Sequence, residues 1–141
     1  MVTLNILSAK GIADKNIYGG KAYWLSWLIE QGYKVPACFF IPATEETELE
    51  EIKTMLRNDE TFNNQLNEFA IGQNQFEVAV RSSALNEDSA EKSFAGHFKS
   101  FVDTVSYEQI FTNIENVVRS VKALDKTDNQ KIGVVIQKKK K

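Results

Sequence analysis

Apolar residues along the chain follow two spacings, one typical of strands and one typical of helices. Alternation of apolar and polar residues predicts strands with one buried face at 2–6, 76–80 and 98–102. Continuous apolar runs at 37–41 and 132–136 predict two further strands that are buried on both faces. Pro42 is expected to end the first of these runs, because proline has no N–H for a strand ladder.

Apolar residues at helical spacing predict four helices, at 21–31, 47–56, 62–72 and 106–121. Capping-box pairs support the starts of the second and the fourth, namely Thr47 with Glu50 and Ser106 with Gln109. Gly32 stands where a C-cap glycine is expected after the first helix. Strands interspersed with helices predict an α/β fold, in which a mixed β-sheet has flanking helices.

Composition and charge narrow the class of protein. With 141 residues, 43% of them hydrophobic, the chain fits one globular domain with a buried core. Lys138 to Lys141 supply four of the 17 basic residues, so the remaining 13 stand against 19 acidic residues. Such an acidic body argues against a nucleic-acid surface. Because no signal peptide opens the sequence and no apolar run nears the roughly 20 residues of a membrane span, a cytoplasmic protein is expected.

The four terminal lysines follow abruptly on the last predicted strand. They are expected to mark a truncation point or a feature of cloning, rather than a nucleic-acid or membrane tail. The predicted domain therefore covers residues 1–137, and residues 138–141 are interpreted as a lysine tail.

Gly19-Gly20-Lys21 stands at the start of the first predicted helix. The glycines let the backbone approach an anion closely, the helix N-terminus favours negative charge, and Lys21 adds a cation. This combination suits a phosphate group. An ordinary glycine turn before a helix is the alternative, because a complete P-loop pattern is absent.

Arg81 stands at the end of an apolar strand, in the segment Val80-Arg81-Ser82-Ser83-Ala84. Strand ends are common ligand positions in α/β folds, and a guanidinium fork suits phosphate oxygens. A structural salt bridge from Arg81 to Glu87 or Asp88 is the alternative.

A third candidate is the small-residue loop Ser93-Phe94-Ala95-Gly96, which could offer backbone N–H groups and hydroxyls to a phosphate chain. His97 follows it and is the one histidine of the sequence, but no orienting partner for a catalytic base is evident. A surface or loop-packing role is therefore expected for His97. Cys38 lies in an apolar run and is expected to be a buried, inert thiol.

Together these segments resemble a known family. The chain is similar to the N-terminal ATP-binding domain of phosphoenolpyruvate synthase, pyruvate phosphate dikinase and their relatives. The likeness rests on four segments in order: Gly19-Gly20-Lys21-Ala22, Val35-Pro36, Val80-Arg81-Ser82-Ser83-Ala84 with Glu87-Asp88, and Ser93-Phe94-Ala95-Gly96 with Phe98. It extends from about Lys10 to the last strand. The specific part is the combination of Arg81-Ser82-Ser83-Ala84, Glu87-Asp88 and Ser93-Phe94-Ala95-Gly96.

The resemblance implies the N-terminal lobe of an ATP-grasp fold, in which two lobes clamp ATP and a metal ion. It implies that Lys21 and Arg81 contact the phosphates, that the loop from Ser93 to Gly96 covers them, and that Gln137 lies beside the adenine. A phosphoryl group would then pass to a histidine on a separate domain. Such chemistry depends on positioning and charge neutralisation more than on covalent help from the protein.

The resemblance also implies two partners beyond residue 137: a C-terminal lobe with the magnesium ligands and a phosphohistidine domain. We therefore expect an ATP-binding portion of a dikinase-type phosphotransferase, with no catalytic residue and no metal ligand in these 141 residues, inactive alone. Self-association is expected through apolar surface exposed at the truncated face, near residues 134–137. The alternatives are a non-catalytic remnant or protein-interaction module, or part of a related antibiotic or glucan phosphotransferase.

Overall fold

The computed structural model describes residues 7–8, 11–84, 100–124 and 131–139. The strands are β1 (Leu7–Ser8), β2 (Cys38–Thr44), β3 (Ala70–Gly72), β4 (Gln75–Ala84), β5 (Ser100–Val105) and β6 (Ile132–Lys138). The helices are α1 (Lys15–Tyr18), α2 (Gly20–Glu30), α3 (Leu49–Arg57), α4 (Glu60–Asn67) and α5 (Tyr107–Leu124). A 3₁₀ turn, Glu46–Glu48, leads into α3.

The described strands form one six-stranded sheet in the order β1-β2-β6-β4-β3, with β5 also paired to β4. This confirms the α/β fold with flanking helices. The sequence pattern predicted a sheet with both parallel and antiparallel strands. The described strand pairs are all antiparallel, so in this respect the expectation was wrong. The apolar runs of β2 and β6 did not reveal this, because a strand covered on both faces is apolar throughout whatever its direction.

Helices cover both faces of the sheet. On the first face, α3, α4 and α5 pack over Phe39 and Ile41 of β2 and over alternate residues of β4 and β6. On the second face, a smaller cluster joins α1 and α2 to the sheet through Ala13, Tyr18, Ala22, Cys38, Phe40 and Val135. Alternation along each strand assigns neighbouring residues to opposite faces. Each residue of β4 and β6 can therefore be assigned either to the face covered by α3, α4 and α5 or to the face covered by α1 and α2.

The position of β6 between β2 and β4 overturns one expectation. Val134, Val135 and Ile136 are at most 1% exposed, and Gln137 is 6% exposed. The apolar patch predicted at 134–137 is therefore absent, because neighbouring strands and both helix layers cover this segment. The exposed large apolar side chains of the described residues lie elsewhere, and include Trp24 and Tyr33.

The helix starts differ in one case and agree in another. A capping box precedes α3, but it joins Glu45 with Glu48 rather than Thr47 with Glu50. The predicted box of α5 is confirmed: Ser106 N donates to Gln109 Oε1 (2.9 Å), and Gln109 N donates to Ser106 Oγ (3.2 Å). Both arrangements satisfy backbone N–H groups that have no partner within the helix.

Strand β2 continues beyond Pro42 to Thr44. The pairing register of β2 with β6 shifts between Ile41 and Thr44, so Pro42 occupies an irregularity where the missing N–H costs little. The short elements α1 and β3 were not predicted, and the strand expected at 2–6 lies outside the described residues. None of the helices in the described ranges combines the length and apolar character that crossing a membrane requires.

Polar contacts brace the helices on the first face. Arg57 forms a fork with Glu108, at 2.7 and 2.8 Å, and its guanidinium lies 4.2 Å from the centre of the Phe111 ring. The hydrogen bond from Arg57 lowers the pKa of Glu108. The Tyr107 hydroxyl donates to Asn63 Oδ1 at 2.8 Å, which ties α5 to α4. These contacts stabilise the packing of the helices, whereas Arg81, Gln137 and helix α2 lie on the second face.

Candidate functional site

Arg81 and Gln137 meet on the second face of the sheet. Arg81 pairs with Val135 across the β4–β6 ladder, and Gln137 pairs with Ala79, so both side chains belong to the layer of α1 and α2. Arg81 Nη1 donates to Gln137 Oε1 at 3.2 Å. Gln137 Nε2 in turn donates to the carbonyl oxygen of Pro36 at 3.3 Å. The carboxamide is thus held at both ends and orients the partly buried guanidinium.

The backbone around Gln137 is anchored on both sides. Lys138 N donates to Ala37 O at 2.7 Å, and Lys139 N donates to Glu77 O at 3.1 Å. Strand β6 accordingly includes Lys138, the first residue of the lysine run. Gln137 is therefore an internal residue of a paired strand, and its side-chain position follows from the ladder.

Lys21 lies in the first turn of α2, and α2 packs on the same face as Arg81. The apolar contacts of α2 with this face come from Ala22, Leu25 and Ile29. Ala22 N donates to Ser83 Oγ at 3.0 Å, a buried bond between residues 61 apart in sequence. Ser83 follows Arg81 by two residues, so it lies on the same face of β4. The helix turn that carries Lys21 is thereby attached next to Arg81.

Of the five residues predicted to contact nucleotide, the structure places three on one side of the sheet: Lys21, Arg81 and Gln137. Ser93 and Gly96 lie outside the described residues, as do His97 and the proposed ion-pair partners of Arg81. Among the described residues, Arg81 forms a hydrogen bond with the side-chain amide of Gln137, which is uncharged.

Two glycines make the close approach of α1 and α2 to the sheet possible. Gly19 has a φ of 93°, and a Cβ there would overlap the carbonyl oxygen and the hydroxyl of Ser83. Gly133 pairs with Ser83, and a Cβ on it would overlap the carbonyl oxygen of Tyr18. The chain between α1 and α2 therefore lies directly on the β4–β6 ladder. Gly19 belongs to the segment predicted to bind phosphate, and its lack of a side chain also allows packing against Ser83.

The arrangement favours an anion on this face. A helix N-terminus carries a partial positive charge, and a lysine and an arginine add two full charges. No role was predicted for Ser83. The period-2 pattern of β4 nevertheless indicates that Ser83 lies on the same face as Arg81.

Cys38 belongs to the cluster beneath α1 and α2 and is 5% exposed, which confirms its expected burial. Burial raises the pKa of the Cys38 thiol from 9.0 to about 12. A thiol that stays protonated is a poor nucleophile, since the thiolate is the reactive form. Cys38 is therefore part of the packing and not of the chemistry.

Cys38 is expected to stabilise the fold less as the pH rises above 9. The unfolded chain loses the thiol proton near its ordinary pKa of 9.0, whereas the folded chain keeps it up to about 12. The contribution is complete below pH 9 and falls by up to about 1.4 kcal/mol per pH unit until pH 12. Urea unfolding of the wild type and of Cys38→Ala measures the difference at each pH. A difference that does not change with pH would contradict this assignment.

The comparison with protein families bears directly on this face. The sequence model described as the pyruvate phosphate dikinase AMP/ATP-binding domain matches residues 50–126, more than half of the chain. The chain belongs to this family. The domain is an AMP/ATP-binding one, which confirms the resemblance noted in the sequence. The matched range contains Arg81 and Ser83, while Lys21 and Gln137 lie on either side of it. A comparison with curated proteins gives no match.

Proposed function

We propose that this chain is the ATP-binding portion of a dikinase-type phosphotransferase, which passes a phosphoryl group from ATP to a histidine on a separate domain. Family membership supports the nucleotide. The observation that carries the assignment of residues is the Arg81–Gln137 hydrogen bond, on the sheet face where α2 begins. In this proposal the chain supplies the first lobe of an ATP-grasp clamp, over residues 1–137.

Arg81 and Lys21 contact the phosphates in this proposal. A guanidinium can donate parallel hydrogen bonds to two oxygens. The hydrogen bond from Arg81 Nη1 to Gln137 Oε1 orients the Arg81 guanidinium. Lys21 contributes a positive charge from the first turn of α2, where the helix dipole also favours an anion. Phosphoryl transfer depends on such positioning and charge neutralisation. The resemblance to the family also assigns the loop from Ser93 to Gly96 to the phosphates in this proposal.

Gln137 lies beside the adenine in this proposal. Its amide oxygen accepts from Arg81 and its amide nitrogen donates to Pro36 O, which uses one of two bonding positions on each atom. An amide oxygen can accept a second hydrogen bond and an amide nitrogen can donate a second one. In this proposal these second bonds go to the edge of the base. A contact of this kind would connect recognition of the base with the orientation of the phosphate-binding arginine.

Magnesium accompanies ATP in such reactions, and the described residues show no group of three His, Cys, Asp or Glu side chains arranged to hold a metal ion. We assign none of the described residues to magnesium and derive no step through it. The proposal places the magnesium ligands in a second lobe and the acceptor histidine in a further domain. These 141 residues by themselves are then inactive.

The 141-residue chain is expected to bind ATP weakly and to form no AMP. Half of a clamp leaves the nucleotide in contact with water, where each charge contact contributes little. A Kd on the order of 1 mM is expected, which corresponds to about −4 kcal/mol. Chemical-shift changes on titration with ATP measure the binding, and an assay for AMP and phosphate release measures turnover.

Adenosine without phosphates is the matched control for this titration, because it keeps the base and removes the groups that Arg81 and Lys21 would contact. It is expected to bind more weakly than ATP. Tight magnesium-dependent binding or AMP formation would contradict the half-clamp argument. An absence of ATP-induced shifts at millimolar concentrations would refute the assigned site.

A second candidate, a module that binds a protein partner, is favoured by one observation on α2. Trp24 is 49% exposed and makes edge-to-face contacts with Tyr23 and Trp27, at 5.2 and 5.8 Å between ring centres. Exposed aromatic residues of this kind are enriched in protein interfaces. The ATP titration separates the two candidates, because a module that has lost nucleotide binding gives no shifts near Arg81.

A further inference from the structure

The start of α2 lacks a cap from its own segment. Its N-cap residue, Gly19, has no side chain to accept a hydrogen bond from the first helical turn. A serine, aspartate or asparagine usually fills this position, because the first N–H groups of a helix have no partner within it. A side chain on Gly19 is excluded by the overlap with Ser83. The helix therefore needs an acceptor from elsewhere in the fold.

Ser83 provides that acceptor. Its hydroxyl oxygen accepts from Ala22 N at 3.0 Å, and Ala22 is the third residue of α2. This is the N–H that a capping side chain normally bonds. Ser83 is fully buried, and its partner on β6 is Gly133, which leaves room for Tyr18. A residue of the sheet thus replaces the missing cap of the helix.

The consequence concerns the two candidate phosphate ligands. Lys21 directly precedes Ala22, and Arg81 precedes Ser83 by two residues on the same face of β4. One buried hydrogen bond therefore joins the backbone turn of Lys21 to the strand of Arg81. We infer that Ser83 is a positioning residue that holds the Lys21 turn in register with Arg81, so that both cations address the same phosphate chain. The inference rests on the proposed function for its ligand.

The chain offers a matched control in Ser82. It is also a buried serine of β4, but it pairs with Val134 and belongs to the opposite face of the sheet. Ser82→Ala removes a hydroxyl from the same strand without touching α2. Ser83→Ala is expected to speed amide hydrogen exchange at Ala22 by roughly fivefold, which is the effect of losing a cap. Ser82→Ala is expected to leave exchange at Ala22 unchanged.

The decisive measurement is whether the effect of Lys21→Met on ATP affinity depends on the Ser83 hydroxyl. Lys21→Met is made in the wild type, in Ser82→Ala and in Ser83→Ala, and the ATP affinity of each is obtained from chemical-shift titration. The loss caused by Lys21→Met is expected to be severalfold in the first two backgrounds and close to none in the third. A merely structural role of Ser83 would lower stability without changing the effect of Lys21→Met.

If Ser83→Ala does not fold, Ser83→Cys is measured in its place, because it keeps the volume and offers only a weak sulfur acceptor. An equal loss from Lys21→Met in all three backgrounds would overturn the inference while leaving the ATP site in place. Unchanged exchange at Ala22 in the Ser83 variant would overturn it as well. If the wild type shows no ATP-induced shifts, the proposed function fails, and the role of Ser83 toward nucleotide fails with it.

Discussion

Arg81→Ala is expected to abolish the chemical-shift changes that ATP induces in the wild-type chain. A hydrogen bond to a charged group contributes about 1.5–3 kcal/mol, and partial exposure of Arg81 favours the lower end of that range. The affinity should therefore fall about tenfold. From a starting Kd on the order of 1 mM, such a loss moves binding out of the range of the titration.

Arg119→Ala is the matched control for this prediction. It removes the same charge from the chain, but Arg119 lies on α5, where it pairs with Glu115 at 2.7 Å. Helix α5 packs on the first face of the sheet, so a general effect of net charge would appear in both variants and a local effect in one. ATP shifts that survive in Arg81→Ala, or vanish in both variants, would remove Arg81 from the site.

The fold of the Arg81 variant has to be checked separately, because Gln137 is 6% exposed and loses a donor. A buried acceptor left without a partner costs about 1–3 kcal/mol. Arg81→Lys keeps a positive charge and removes the fork, so it is expected to bind ATP with intermediate affinity. Thermal unfolding of both variants shows whether lost binding reflects the site or the fold.

Local sequence patterns were sufficient for the long elements. Helices α3 and α5 carry apolar residues at helix spacing, β4 carries them at strand spacing, and β6 is a continuous apolar run, so the existence of these elements could be predicted. Helix α1 has four residues, and β3 has three exposed ones, which is too little for a period to emerge. The antiparallel order of the strands depends on chain connections, and no local pattern reports it.

The sequence suggested candidate site residues one by one, but not how they are arranged relative to one another. Arg81 was predicted to bind phosphate because it is a charged residue at the end of an apolar strand. Lys21 was predicted to do so because two glycines precede it at a helix start. The contact of Arg81 with Gln137 joins residues 56 apart, and it follows from the register of β4 with β6. The role of Ser83 likewise depends on where α2 lands on the sheet. Such contacts are properties of the tertiary fold, which the local pattern does not encode.

Gly19→Ala is expected to destabilise the fold far more than Gly32→Ala. Both glycines have a positive φ, 93° and 90°, so alanine meets a backbone penalty of roughly 1–3 kcal/mol at either position. Gly32 has open space around the added methyl group, whereas Gly19 meets the backbone and hydroxyl of Ser83. Overpacking of a tight contact costs about a further 1–3 kcal/mol. Urea unfolding of the two variants measures the difference.

The comparison isolates the contact of α2 with the sheet, because the backbone penalty is nearly common to the two variants. Gly19→Ala should also displace the turn of Lys21, since the added methyl group and the Ser83 hydroxyl compete for one space. Amide resonances of residues 20–22 should therefore shift in Gly19→Ala and stay in place in Gly32→Ala. Equal destabilisation by the two substitutions would mean that Gly19 does not lie against Ser83 in solution, and the close attachment of α2 to β4 would have to be abandoned.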